Sequence, residues 1–183
     1  TVDSWYTRSA VPLGASGKMV KGGTDMVFHN GFVYLLKGYK NEFMKYNAAN
    51  DSWTILAPAP LGTSGKDKYD KGSWIVIEAD PVAPQLYVHK AKYNELFKYD
   101  VLKDSWGGQL TGMPLIGRAG KSKKSKDGGS AASMPGLNKI YALKGGNTQE
   151  FWRYDPPSDS WHELDTVPLF GSTGKKKKVK AGA

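Results

Sequence analysis

Two kinds of short segment, each present three times, alternate hydrophobic and polar residues along this chain. One kind reads FVYLLKG, QLYVHKA and KIYALKG, and starts at residues 32, 85 and 139. The other reads NEFMKYN, NELFKYD and QEFWRYD, and starts at residues 41, 94 and 149. The alternation and the many aromatic and β-branched residues predict half-buried β-strands. Clusters of Gly, Asn, Asp and Pro between these segments are typical of turns, and no segment of useful length has a helical period.

A longer repeat contains these segments. The triplet Asp-Ser-Trp begins at residues 3, 51, 104 and 159, so successive copies lie 48, 53 and 55 residues apart. A Pro-Leu segment follows each triplet, and the four segments read PLGASGK, PLGTSGK, PLIGRAGK and PLFGSTGK. A lysine-rich stretch follows each of those. A period of about 50 residues indicates one structural unit per repeat.

Each repeat predicts four short antiparallel strands, which we name a to d in chain order. Strand a follows the lysines, at roughly 23–29, 73–78 and 129–134. Strands b and c are the two alternating segments, and strand d begins at Asp-Ser-Trp. Four antiparallel strands per repeat are typical of a β-propeller blade. The predicted fold is all-β, a single propeller segment with complete blades at roughly 18–59, 66–113 and 121–167, a leading outer strand at 3–11 and a truncated blade start at 174–183.

The motif residues of these blades resemble those of the kelch family of propellers. A tyrosine and a tryptophan are separated by six residues in every blade, downstream of a glycine pair in two blades and of Gly72-Ser73 in the middle one. The resemblance implies that the aromatic residues pack between blades and that the glycines let crowded inner strands approach. Kelch propellers include binding scaffolds, enzymes and cell-surface modules, so the resemblance concerns the fold rather than the function. The residues that carry it are Gly22, Gly23, Tyr46, Trp53, Tyr99, Trp106, Gly128, Gly129, Tyr154 and Trp161.

Segments 3–11 and 174–183 lie outside the three complete blades, and three blades do not close the ring of a propeller. The leading strand is a strand d, and the ending KKVKAGA matches the start of a blade. Strands b and c of that fourth blade are missing from the sequence, and an open propeller would expose strand edges. Two interpretations follow: the chain belongs to a longer propeller, or several copies assemble.

The charge of the chain is strongly positive, at +9, and the lysines are not evenly distributed. In antiparallel blades the d–a loops and the b–c loops lie on one face, and that face is predicted to carry most of the basic residues. The b–c loops contribute Lys37, Lys40, Lys90, Lys92 and Lys144. The d–a loops, which lead into the innermost strands, contribute the residues that we predict to bind anions: Lys18, Lys21, Lys66, Lys68, Lys71, Lys121, Lys123, Lys124, Lys126, Lys175, Lys176, Lys177, Lys178 and Lys180.

The partner predicted for this face is an anionic polysaccharide or an anionic cell surface. Converging like charges repel one another unless an anion offsets them. Lysine is a mobile point charge, whereas arginine, the bidentate reader of phosphates and bases, occurs only three times. Few aromatic residues interleave with these lysines, so nucleic acid is not favoured. A structural use is the alternative for three of them, because Lys37, Lys90 and Lys144 recur close to Glu42, Glu95 and Glu150, where they predict ion pairs between blades.

Several kinds of chemistry are excluded or unsupported. The chain has no cysteine, which excludes thiolate metal sites and the Tyr–Cys crosslink of oxidases that resemble galactose oxidase. Its three histidines occupy different positions in the repeat. The sequence has neither a calcium loop of the Asp-x-Asp-x-Asp-Gly type nor a nucleophile elbow. We therefore predict no catalytic residue, no metal and no cofactor, and no run of apolar residues is long enough to span a membrane.

The sequence therefore favours a non-catalytic binding or structural module, extracellular or at the cell surface. Two alternatives stay open. One is a glycan-active kelch-type enzyme, similar to mutarotases or lyases, whose site lies in blades outside this sequence. The other is an intracellular scaffold for protein interactions.

Overall fold

The computed structural model describes residues 3–78, 82–134 and 136–181. They form three antiparallel sheets of four strands each, and the strands of every sheet are adjacent in chain order. A short 3-10 turn at Pro156–Ser158 is the helical element of the described residues. The first sheet contains β1 (Asp25–His29), β2 (Phe32–Leu36), β3 (Phe43–Asn47) and β4 (Ser52–Ile55). The second contains β5 (Trp74–Glu78), β6 (Gln85–Lys90), β7 (Glu95–Asp100) and β8 (Ser105–Leu110). The third contains β9 (Ser130–Met134), β10 (Lys139–Leu143), β11 (Phe151–Asp155) and β12 (Ser160–Glu163).

These strands match the predicted strands a to d of each repeat, so each sheet is one blade. The innermost strands β1, β5 and β9 lie side by side, which gives the blades a propeller-like arrangement. The carboxylate of Asp25 on β1 accepts a hydrogen bond from the backbone N–H of Ile75 on β5 at 2.9 Å and links the first two blades. A closed ring is not formed by the described residues.

One predicted strand is wrong. Residues 3–11 form no strand, although the sequence predicts a leading strand d there. A β-strand needs a neighbour for its backbone hydrogen bonds, and residues 3–11 pair with none of the described strands. Residues 174–181, the predicted start of a further blade, form isolated bridges at Lys176 and Val179, and residues 182–183 lie outside the described residues.

Two hydrophobic layers hold the blades together. One layer lies between the first and second blades and includes Leu36, Phe43, Leu86 and Tyr99. The other lies between the second and third blades and includes Trp74, Leu96, Ile140 and Tyr154. Along β5, Ile75 faces the first layer and its neighbours Trp74 and Val76 face the second, as the period-two pattern predicts.

The tyrosine and tryptophan of each repeat pack against each other. The predicted core role is confirmed in the second and third blades, whereas Tyr46 and Trp53 of the first blade are only partly buried and belong to neither layer. In the first blade the rings of Tyr46 and Trp53 lie 5.1 Å apart, and the other blades repeat this contact. The tyrosine hydroxyl donates a hydrogen bond to the aspartate of the triplet: Tyr46 to Asp51, Tyr99 to Asp104 and Tyr154 to Asp159. These aspartates have positive φ angles, so they form the c–d turns in the left-handed conformation that Asp tolerates.

The same motif also joins neighbouring repeats, which the sequence did not reveal. The Trp106 indole N–H of the second blade donates to the backbone oxygen of Ala57, which follows the last strand of the first blade, at 2.9 Å. Trp161 does the same to Thr111 at 2.9 Å. Trp53 donates to Ser9 of the leading segment at 3.0 Å. Each tryptophan therefore holds the chain that leads out of the preceding repeat.

His89 makes the stability of the second blade depend on pH. The side chain is fully buried and stacks on Trp74 with the ring centroids 5.1 Å apart. Burial lowers the pKa of His89 from its ordinary 6.5 to about 3. The unfolded chain therefore binds a proton that the folded chain does not bind between these two values.

We expect the urea midpoint of the protein to fall as the pH is lowered from 7 to 4. The neutral imidazole contributes its full stability above pH 6.5, and this contribution is lost as the pH falls towards 3. Replacing the histidine by a side chain that does not titrate, His89→Met, should remove that part of the pH dependence. An identical pH dependence in wild type and His89→Met would contradict this assignment.

Candidate anion-binding site

The four d–a loops run across one face of the blades and contact the b–c loops there. The backbone N–H of Tyr39 donates to the carbonyl of Tyr69 at 2.7 Å, which joins the second d–a loop to the first blade. The backbone N–H of Lys92 donates to the carbonyl of Ser125 at 2.8 Å, and the backbone N–H of Asn147 donates to the carbonyl of Val179 at 2.9 Å. The third and fourth loops therefore bind the second and third blades in the same way. The common face predicted for both kinds of loop is therefore present.

Each d–a loop contains a tight turn of the form Gly-x-x-Gly, which we call a glycine turn. The four turns lie at 14–17, 62–65, 117–120 and 171–174. The last glycine N–H of each turn donates to the carbonyl of the first at 2.9–3.2 Å. The last glycine always has a positive φ, which residues with a Cβ rarely adopt.

A buried ion pair from the b–c loop of the same blade holds each of the first three glycine turns. The pairs are Lys37–Glu42 at 2.8 Å, Lys90–Glu95 at 3.1 Å and Lys144–Glu150 at 2.6 Å. All three lysine side chains are almost completely inaccessible to solvent. The three ion pairs predicted from the sequence are therefore confirmed, but the prediction that they lie between blades is wrong, because each pair forms within one blade.

The lysine of each pair also hydrogen-bonds the backbone of the turn. Lys90 Nζ donates to the carbonyls of Leu61 and Lys66 at 2.7 and 2.5 Å and to Ser64 Oγ at 3.0 Å. Lys37 Nζ donates to the carbonyl of Leu13 at 2.5 Å, and Lys144 Nζ donates to the carbonyl of Leu115 at 3.0 Å. These contacts satisfy the buried ammonium groups, which would otherwise be very unfavourable. The three lysines are therefore structural and unavailable to a ligand.

The glutamate of the first pair, Glu42, is held as a carboxylate by the first glycine turn. Glu42 accepts hydrogen bonds from Ser16 N and Ser16 Oγ at 2.9 and 2.7 Å. Burial raises the pKa of Glu42, but the hydrogen bonds from Lys37 and Ser16 outweigh burial and hold the pKa below its ordinary 4.5. The stability that Glu42 contributes is therefore present above pH 4.5 and is lost as the pH falls below it.

Most of the lysines predicted to bind anions are free to do so. Two of them have acidic partners: Lys68 lies 3.1 Å from Asp70, and Lys71 lies 3.8 Å from Asp127. The other twelve are exposed, and none has a carboxylate oxygen within 4.0 Å in the described parts of the chain. They are Lys18, Lys21, Lys66, Lys121, Lys123, Lys124, Lys126, Lys175, Lys176, Lys177, Lys178 and Lys180. We call these twelve residues the lysine face.

The densest part of the lysine face surrounds a cleft of about 290 Å³ beside the fourth glycine turn. The cleft is lined by Lys176, Lys177, Lys178, Lys180 and Asn147. Val179 is buried against the third blade, and Lys176 forms an isolated bridge with Phe170, so the backbone beneath these lysines is fixed. Four mobile ammonium groups on a fixed backbone suit an anionic chain better than a single small anion.

Aromatic residues contribute little to this face. Lys68 and Lys21 lie over the ring of Tyr39, with Nζ 4.3 and 5.9 Å from its centroid. Tyr69 of the second d–a loop is fully buried and donates its hydroxyl to the Pro60 carbonyl at 2.8 Å. A surface of this kind offers charge but few stacking platforms for bases.

Among the described side chains, no three of His, Asp and Glu come together as a metal ion requires. No helix in the described part of the chain is long and apolar enough to cross a membrane.

The glycines before strand a let the successive d–a loops pack closely. Gly23, Gly72 and Gly128 have φ angles of 92°, 87° and 83°. A Cβ on any of them would overlap the backbone of the next d–a loop, at Asp70, Lys126 and Lys180 respectively. The predicted close approach is therefore confirmed, and it occurs between successive loops at the start of the inner strands.

Comparisons with known proteins support the fold. No protein-family model matches the sequence, and no curated protein matches it. Among solved structures, the structure of YjhT is 16% identical with a TM-score of 0.57, over 84% of this chain and 54% of that chain. Kuenenia stuttgartiensis hydrazine synthase is 10% identical with a TM-score of 0.52, over 83% of this chain and 39% of that chain. The chain thus spans about half or less of these proteins, and at such low identity the likeness shows the propeller-like fold alone.

Proposed function

We propose that this protein is a non-catalytic, kelch-like binding module whose lysine face binds anionic polymers, such as the acidic glycans of a cell surface. The observation that carries the proposal is the set of twelve exposed lysines without carboxylate partners on a single face. Charges elsewhere on the blades are mostly paired: Lys45 lies 3.9 Å from Asp104, Lys103 lies 3.4 Å from Asp100, and Lys139 lies 3.1 Å from Asp155.

The distribution of paired and free lysines supports a binding role over solubility alone. A lysine that only keeps a protein soluble has no reason to recur in the same loop of each repeat. Unpaired like charges on adjacent loops raise the energy of the folded chain, and a bound polyanion would offset that cost. Such binding also releases the counterions of the polymer, so it weakens as salt is added.

Four substitutions in the fourth d–a loop should strongly weaken the binding of heparin, used here as a sulfated glycan probe. The variant Lys175→Gln/Lys176→Gln/Lys177→Gln/Lys178→Gln removes four charges of the lysine face. By analogy with nucleic acids, the slope of log Kd against log salt should decrease by about 3. Affinity at low salt should fall by about tenfold to a hundredfold. Titration by isothermal calorimetry at several salt concentrations measures both quantities.

A matched variant tests whether position, rather than net charge, explains the loss. The variant Lys45→Gln/Lys98→Gln/Lys103→Gln/Lys139→Gln removes the same number of charges, four, from outside the lysine face. We expect this variant to retain most of the affinity and the original salt slope. An equal loss in both variants, or binding that does not respond to salt, would contradict the proposed function.

A further inference from the structure

The third glycine turn differs from the first two in its central residues. The first two turns read Gly-Ala-Ser-Gly and Gly-Thr-Ser-Gly, and the third reads Gly-Arg-Ala-Gly. The serine of the first two turns donates both its backbone N–H and its hydroxyl to the glutamate of the buried pair, as Ser64 does to Glu95 at 2.6 and 3.1 Å. Ala119 occupies this position in the third turn and has no hydroxyl to offer Glu150.

A different carboxylate, that of Glu163 on β12, binds the third turn instead. Its Oε2 accepts from the backbone N–H of Arg118 at 2.6 Å, and the guanidinium of Arg118 donates to the Glu163 carbonyl at 2.8 Å. By their pairing with strand c, the equivalent residues of the first two blades are Ile55 and Gln109. Gln109 makes the same contact without a charge, since its Oε1 accepts from Thr63 N at 2.9 Å. Among the three blades, a carboxylate at this position is therefore specific to the third.

The carboxylates of Glu150 and Glu163 come together beside Gly117. A Cβ on Gly117 would lie 2.8 Å from an oxygen of each of them. Glu150 is neutralised by Lys144 at 2.6 Å and also accepts from the Trp152 indole N–H at 3.2 Å. Glu163, by contrast, has no ammonium or guanidinium nitrogen within 4.0 Å of its carboxylate in the described parts of the chain. Its charge is held in place but not neutralised.

A cleft of about 270 Å³ opens at Glu163, and two lysines of the lysine face, Lys121 and Lys123, also line it. Asn147 lines this cleft and also the lysine-rich cleft of about 290 Å³ beside the fourth glycine turn, so the two clefts adjoin. Sites for small organic molecules usually occupy about 300–1,000 Å³, a range that these two clefts reach only together. One ligand that extends through both clefts would contact the lysines and Glu163 at once.

The two kinds of group in the joined clefts require two kinds of group on the ligand. The lysines donate hydrogen bonds and attract anionic groups. The Glu163 carboxylate only accepts hydrogen bonds and repels an anionic group, so the ligand must present a donor there. A chain of acidic sugars meets both conditions, because its carboxylates alternate with free hydroxyl groups. Polyphosphate meets only the first, because it has no hydroxyl group along its length.

We propose that the cleft at the third glycine turn is a specificity subsite of the lysine face, in which Glu163 accepts hydrogen bonds from the free hydroxyls of a polyuronate. The lysines of the adjoining cleft bind the carboxylates of the same polymer. This inference rests on the proposed function and deepens it, since it names the class of anionic polymer. Glu163 selects the ligand, and the lysines supply most of the affinity.

The first test replaces the carboxylate by its amide. Glu163→Gln gives the third blade the residue that the second blade has at Gln109, so the hydrogen bond to the turn should be kept. Isothermal calorimetry at about 0.15 M salt, where exposed charges are screened beyond about 8 Å, compares oligogalacturonate with polyphosphate of equal charge. We expect oligogalacturonate to bind about fivefold more weakly, because a carboxylate is the stronger acceptor. Polyphosphate should bind equally well or up to about threefold more tightly, because a repelling charge is gone.

The second test fills the cleft without changing a charge. Ala119 is exposed and lines the cleft, so Ala119→Leu should occupy part of it while the turn still folds. Oligogalacturonate should bind about fivefold more weakly or worse, and polyphosphate should bind as to the wild type. Asp165→Asn is the charge control, because it removes a negative charge two residues from Glu163 but outside the cleft lining. It should change both affinities by the same factor.

The outcomes separate this inference from the function on which it rests. If neither polymer binds the wild-type protein, the proposed function is wrong and the subsite is wrong with it. If both polymers bind and Glu163→Gln shifts both affinities in the same direction, Glu163 contributes only its charge. The inference is then overturned, although the proposed function stands. Unchanged binding of oligogalacturonate to Ala119→Leu would overturn it as well, because the ligand would not occupy the cleft.

Discussion

Replacing Lys90 by methionine should destabilise the protein by about 3–5 kcal/mol, which is the usual cost of breaking a buried ion pair. The substitution removes the ammonium group that lies between Glu95 and the carbonyls of Leu61 and Lys66. Methionine fills the same space but leaves a buried carboxylate without its countercharge. Urea unfolding followed by tryptophan fluorescence measures the change.

The neighbouring lysine provides the control for this prediction. Lys92 lies on the same b–c loop, but its side chain is exposed. Lys92→Met should therefore change the free energy of unfolding by no more than about 0.5 kcal/mol. Lys90→Met/Glu95→Leu should recover part of the loss, because it leaves no unpaired charge. A Lys90→Met variant within 1 kcal/mol of wild type would show that the pair does not hold the glycine turn.

Replacing Gly72 by alanine should cost about 3 kcal/mol, from two sources that can be separated. The left-handed conformation alone costs about 1–2 kcal/mol for a residue with a Cβ. In addition, the Cβ would overlap the carbonyl group of Lys126, which is backbone and cannot move aside easily. The inner start of the second blade and the third d–a loop would have to separate.

Gly31 provides a control in which only the first source, the backbone conformation, is present. It has a similar φ of 83°, and a Cβ there would meet no atom within 4 Å. Gly31→Ala should therefore cost only about 1–2 kcal/mol, the cost of the backbone conformation. Equal losses for Gly31→Ala and Gly72→Ala would mean that the close packing of the loops contributes nothing to stability.

The parts of the fold that sequence could predict are those that depend on neighbouring residues. The period-two segments, their turn residues and the Tyr and Trp of each repeat all follow from local patterns. The leading strand at 3–11 was wrong because a local pattern does not show whether a partner strand is present.

The structural lysines could not be separated from the surface lysines for a similar reason. Lys37 follows strand β2 and reads as one more basic loop residue. It is buried because Leu13 and Ser16, more than twenty positions earlier, fold over it. The repeated spacing to Glu42 was the available signal for an ion pair, but the sequence did not reveal that a glycine turn would lie above it.

Lysine footprinting tests the central claim, binding of an anionic polymer at the lysine face, most directly. The protein is acetylated briefly with and without saturating heparin, and the modification of each lysine is read by mass spectrometry. We predict that heparin protects residues of the lysine face, above all Lys175, Lys176, Lys177 and Lys178. Lys98 and Lys103 should react equally in both samples, and the buried Lys37, Lys90 and Lys144 should react in neither. Protection spread evenly over all exposed lysines, or confined to Lys98 and Lys103, would contradict the account.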